Sequence, residues 1–245
     1  MTRGKYSRRK TRSFKSRVTQ VLMKKAETKY FDIGDENVQL YHNNGTNTVL
    51  TGGPGSLATI FNPWADIYRG NARQERVGDQ IQPRGMAMTL WIANKLDRPN
   101  VMYRVIIARV PKNITGVTTT ASNVYPFTDQ NLGSCGNQMC LPLDKDRGIK
   151  AFYDRTFNVQ LGTSNVTVPI LGYSGKEAHV VKRFWIKSKG SRPISYDPAS
   201  AVGSIGAILN NPLMVWVIPY DSYGSLKTDN IASCAYHARL YFKDI

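Results

Sequence analysis

The sequence predicts an all-β fold, a single two-sheet jelly roll of about eight strands behind a disordered basic N-terminal arm. Three observations predict it. The first 25 residues carry ten basic side chains and no acid. Beyond Lys29 the apolar pattern alternates with a period of two, which marks strands rather than helices. Long polar connections separate the runs, and about eight short strands over one domain of this length suit a sandwich with elaborate loops.

The arm, residues 1–28, comes first. Arg3, Lys5, Arg8, Arg9, Lys10, Arg12, Lys15, Arg17, Lys24 and Lys25 hold more than half of the net charge of +16. Residues 1–17 have no apolar periodicity with which to build a core, so disorder is expected. Val18, Val21 and Leu22 fall at helical spacing, which predicts a short amphipathic helix formed on a partner, since isolated helices of this length are marginal. Cations on a flexible chain follow any phosphate path and release condensed counterions without reading sequence, which points to nucleic acid. Tyr6 and Phe14 are placed to stack on bases. Arg8, Arg9, Lys10 and Arg12 also form the centre of a nuclear localisation signal. The two roles are compatible, because an import receptor reads the free arm and nucleic acid occupies the bound one.

The body, residues 29–245, supplies the strands. Short candidates lie at 30–33 and 38–41. In 86–93 one face reads Met86, Met88, Leu90 and Ile92, and the other Ala87, Thr89, Trp91 and Ala93. Further runs follow at 101–110, 153–161, 178–189, 193–196, 213–220 and 233–243. The last has Cys234, Tyr236, Ala238, Leu240 and Phe242 on one face and His237, Arg239, Tyr241 and Lys243 on the other. Asn44-Gly45 has hairpin-turn chemistry, and 52–55, 97–100 and 210–212 read as loops. One or two helical turns are expected around 62–68. The connection 112–150 is too long for a hairpin; it and 52–71 are the expected interface or exterior surfaces.

A second basic surface is expected on the 178–189 strand, where Val181, Arg183, Trp185, Lys187 and Lys189 share one face. Such a face continues the phosphate track of the arm; the competing reading is a solvated face with Trp185 packed under a loop. Arg239 and Lys243 are similar candidates.

The search for reaction chemistry yields little, and neither a catalytic set nor a cofactor is expected. There is no His-Glu-x-x-His zinc helix, no Gly-x-Ser-x-Gly elbow and no phosphate-binding Gly-x4-Gly-Lys loop. His42, His179 and His237 are dispersed, whereas a jelly-roll metalloenzyme draws histidines from neighbouring strands. Cys135, Cys140 and Cys234 are odd in number and lack a zinc-ligand pattern, so reduced thiols and no metal are expected. Asp32, Asp35 and Glu36 read either as a solvated acidic turn or as a hard-oxygen interface cation site. Asp144 and Asp146 present the same choice. Without an apolar segment behind the basic residues no signal peptide is expected, and the sequons at Asn44, Asn113 and Asn165 read as chance matches. No apolar run reaches the ~18 residues of a spanning helix, so membrane insertion is not expected.

A basic arm followed by one all-β domain without a catalytic set resembles the coat proteins of small icosahedral viruses. The chain is similar to capsid proteins of circular, replication-initiator-encoding single-stranded DNA viruses of the circovirus kind. The residues that carry the likeness are the arm, Arg76-Val77-Gly78-Asp79-Gln80-Ile81 leading to Gly85, and Lys182-Arg183-Phe184-Trp185-Ile186-Lys187 running through Gly190 to Tyr196. The resemblance implies eight strands in two four-stranded antiparallel sheets and a shell of 60 copies around a single-stranded DNA genome. It also implies nuclear import, assembly in the host nucleus and a cell-surface receptor. The arm is shorter and less purely arginine than in circoviruses, and a geminivirus-like zinc cluster is absent. A small RNA or satellite virus coat, with RNA as the packaged strand, and a cellular nucleic-acid-binding protein are the alternatives.

Overall fold

The computed structural model describes residues 21, 26–43, 60–61, 63–64, 67–95, 97–98, 100–111, 126–128, 136–160, 178–188, 193–197, 213–222, 225–226 and 228–244. Nine strands run through them. They are β1 (Lys29–Tyr41), β2 (Ile60–Phe61), β3 (Gln80–Asn94), β4 (Asn100–Arg109), β5 (Lys150–Gln160), β6 (His179–Lys187), β7 (Ile194–Ser195), β8 (Leu213–Tyr220) and β9 (Asn230–Asp244). One sheet has the order β1-β9-β3-β6, with β7 beside β3; the other has the order β2-β8-β4-β5. Every pairing is antiparallel. Setting β7 aside, the chain changes sheet at every connection except that from β4 to β5. This is jelly-roll wrapping, the fold class the alternation predicts.

Burial explains the sequence pattern. Met86, Met88, Leu90 and Ile92 of β3 and Cys234, Tyr236, Ala238 and Leu240 of β9 face the core between the sheets, against Tyr103, Val105 and Ile107 of β4 and Val215 and Val217 of β8. β8 does not alternate: all residues from Leu213 to Pro219 are buried. The reason lies on its other face. Met214, Trp216 and Ile218 join Ile106 and Ala108 of β4 in a second cluster with Phe127 and Ile149 from the long β4–β5 connection. A strand covered on both sides reads as a continuous apolar run.

Arg104 fastens that cover. It is buried on β4, and its guanidinium donates to both carboxylate oxygens of Asp154 on β5 at 2.9 Å each. It also donates to the carbonyls of Gln138 at 2.6 Å and Leu141 at 2.7 Å. The Arg76-to-Ile81 motif has a comparable structural role. Arg76 donates to the carbonyls of Ile67 and Gly78 and lies 4.1 Å from the Tyr196 ring centroid, while Tyr196 donates its hydroxyl proton to the Trp64 carbonyl.

Several expectations are corrected. The two short candidates at 30–33 and 38–41 are one strand, β1, interrupted by a bulge between Asp35 and Val38 where Asn37 takes a φ of 61°. Two residues, Glu36 and Asn37, stand against one on β9, so the period of two breaks there although the strand continues. β2 was not foreseen, since two residues are too few to show alternation. Among the described residues of 62–68, Pro63 and Trp64 form a turn and no helix occurs. Trp64, Ile67 and Phe127 are buried anchors of the two connections expected as interface or exterior surfaces, and much of both connections lies outside the described residues. Val21 is helical and exposed; the rest of 18–22 and the arm residues Arg3 to Arg17, Lys24 and Lys25 lie outside the described residues.

Candidate nucleic-acid interface

β6 is paired with β3 from Lys187 opposite Gly85 to His179 opposite Ala93. Its side chains alternate as the sequence predicts: Val181, Arg183, Trp185 and Lys187 are exposed, and Ile186 is buried. Trp185 is 60% exposed, and none of the described loops covers it. Lys189 lies outside the described residues.

Register extends this face across the sheet. The outward positions align in rows: Tyr30, Tyr241, Gly85 and Lys187; Asp32, Arg239, Ala87 and Trp185; Gly34, His237, Thr89 and Arg183. Asp32 is the one acid in these rows, and it is committed to a neighbour. Arg239 donates to its two carboxylate oxygens at 2.7 and 2.9 Å, and His237 Nε2 lies 3.4 Å from Asp32 Oδ1. That carboxylate pushes the Arg239 guanidinium further above its ordinary pKa, so it stays charged. Among the described residues Arg183 and Lys187 have no acidic partner within 4.0 Å. Their charge is available to a bound anion.

The sequence puts Trp91 and Tyr241 on faces of their own strands, but only the pairing sets them on one surface with Trp185. Its indole sits 5.6 Å from the Tyr241 ring, edge on. Trp91, 47% exposed, makes an edge contact with His179. Tyr30 has the guanidinium groups of Arg73 and Arg239 over its ring at 5.3 and 5.0 Å. These residues lie on four strands, and only register brings them to one surface.

The root of the arm lies at the same sheet. The buried Lys243 donates its ammonium to the Ala26 carbonyl, and Lys29 Nζ is 2.8 Å from Asp244 and donates to the Glu75 carbonyl. Lys243 is therefore a structural anchor rather than a phosphate contact, a correction with a plain cause: its alternate position places it where the chain crosses to β1. Ala26–Lys29 leads directly into the Tyr30 row, whose far end, three strand spacings or about 14 Å away, is Lys187.

Several other sequence candidates have partners within the sheet or its loops. Asp32 faces Arg239, while Asp35 sits opposite Tyr236 of the inward-facing set; among the described residues no three His, Cys, Asp or Glu side chains form a metal-holding group. The 32–36 segment is a bulged strand, not a turn. Asp144 is buried, accepting from the Arg147 amide and pairing with the Arg147 guanidinium. His42 is buried, and its Nδ1 accepts from the Asp221 amide. Among the described residues no helix is long and apolar enough to cross a membrane. No protein-family model matches the chain, and no curated protein matches its sequence.

Proposed function

We propose that this chain is a non-enzymatic coat protein that packages a single-stranded nucleic acid, DNA by the resemblance, inside a shell of its own copies. The observation that carries the reading is that two cationic elements belong to one sheet: ten basic residues of the sequence precede a root, Ala26–Lys29, held against β9, and the outward face of β6 bears Arg183 and Lys187. The jelly roll adds support, because viral capsid domains use it, although lectins and cupins share it and fold alone assigns no activity. In a 60-copy shell the arms would neutralise about 600 phosphates on one-to-one pairing. Polymer and shell then condense together.

Negative-stain electron microscopy of the purified protein, with nuclease digestion of whatever nucleic acid copurifies, tests the proposal. Uniform shells about 20 nm across, the size that close packing of some 60 such domains implies, with protected nucleic acid, are the expected result. Small species alone, across salt and pH and with oligonucleotide added, would overturn it in favour of a cellular nucleic-acid-binding protein.

A further inference from the structure

We propose that Trp185 is the platform of a base-stacking subsite, at which the β6 face takes an unpaired nucleobase on the indole and the flanking phosphates on Arg183 and Lys187. The inference rests on the nucleic-acid part of the reading above and not on shell assembly.

Geometry makes the platform. Trp185 stands opposite Ala87, one alternate position from Gly85 on β3. Carbons Cζ2 and Cη2 of the indole lie over Gly85, 2.9 and 3.0 Å from where a Cβ would stand. Only glycine lets the ring settle on the backbone there. Tyr241 holds the ring from the side at 61° to its plane. The indole is thus supported beneath and beside yet 60% exposed. A large aromatic held open to water on a sheet face signals a partner, and charge selects which one. Arg183 and Lys187 precede and follow Trp185 on the same face, so any strand crossing the ring meets a cation on either side. A polyanion with flat apolar rings matches both features. Duplex bases are stacked on each other and present no free face, whereas every unpaired base has one. Trp91 lies four residues along β3 from Ala87, about 13 Å away, and offers a second ring to the same strand.

The test compares full-length wild type with Trp185→Ala, Trp185→Leu and Trp185→Phe. Fluorescence anisotropy follows a labelled 30-nucleotide oligo-dT and a labelled 30-base-pair duplex, at protein concentrations where sedimentation shows no particles. The arm attracts both probes by charge, so the readout is the ratio between them. Trp185→Ala is expected to weaken oligo-dT binding about 5- to 150-fold, the range that loss of one base–aromatic stack gives, with duplex binding unchanged. Trp185→Leu, which keeps apolar volume without a ring, should behave like alanine, and Trp185→Phe should retain most of the affinity. Unchanged oligo-dT binding in the leucine and alanine variants, or an equal loss for both probes, would overturn the subsite. Electron microscopy of the same wild-type preparation separates the two readings: missing shells refute the coat protein and leave the anisotropy result standing, and shells formed beside unchanged affinities refute the subsite alone.

Discussion

Replacing Arg104 by Met should loosen the cover of the β8–β4 sheet. The wild-type guanidinium satisfies Asp154 through two bonds of 2.9 Å and two carbonyls of the β4–β5 connection at 2.6 and 2.7 Å. Its side chain is 8% exposed and that of Asp154 29%. Removing one partner of a buried pair typically costs about 3–5 kcal/mol, because the remaining charge stays buried and unpaired. Asp154 reaches some water, which places the loss near the lower end, about 3 kcal/mol. In a chain of this size about 1 kcal/mol moves Tm by some 2–4 °C, so Arg104→Met should lower it by about 6–12 °C. Thermal unfolding followed by circular dichroism measures this, and limited proteolysis should show earlier cleavage within 111–149. The double variant Arg104→Met, Asp154→Leu should recover most of the loss, since no orphaned charge remains beside Ile106 and Phe127. A single variant within about 2 °C of wild type, or a double variant no better than the single, would refute the clasp.

Three further outcomes are expected. Deleting residues 2–17 should abolish nucleic-acid packaging while circular dichroism still reports a folded β-domain; packaging at the wild-type level would sink the role of the arm. Arg183→Gln with Lys187→Gln should flatten the slope of log affinity against log salt for single strands by about 1.4, two phosphate contacts at ~0.7 each, and an unchanged slope argues that neither side chain meets phosphate. Burial pushes the Cys234 thiol from 9.0 up to about 12, and burial raises Tyr103 as well. The unfolded chain therefore loses these protons at lower pH than the folded one, so the stability present below about pH 9 declines as pH rises toward 12. Urea titrations from pH 7 to 11 should show that decline, and less of it in Cys234→Ala; equal curves would contradict the burial argument.

Much of the sheet structure was legible because alternation is a local property. The 213–220 candidate matches β8 at both ends, and the faces of 86–93 and 233–243 are those observed in β3 and β9. The exposed face of β6 was legible for the same reason. β1 was split in two by its bulge, and β2 was too short to announce itself. Arg104 sits in an apolar run and carried no local sign of its role, because its partners are 34 to 50 residues away in sequence. Lys243 looked like Arg239, its neighbour on the same face, and differs only through the backbone of Ala26.

The sequence by itself determined the division between a cationic arm and a β-rich body, the strand faces, and the positions of Arg183, Trp185 and Lys187 on one side of one strand. These follow from charge counting and a two-residue period, which need no knowledge of neighbours. Tertiary structure alone decided which strands lie side by side. Strand pairing joins residues far apart along the chain, such as Asp32 and Arg239, or Tyr241 and Gly85, and no local pattern encodes that register. It paired Arg239 with Asp32, buried Lys243, laid Trp185 over Gly85, and turned a basic strand into an aromatic and cationic surface on the sheet that holds Ala26–Lys29.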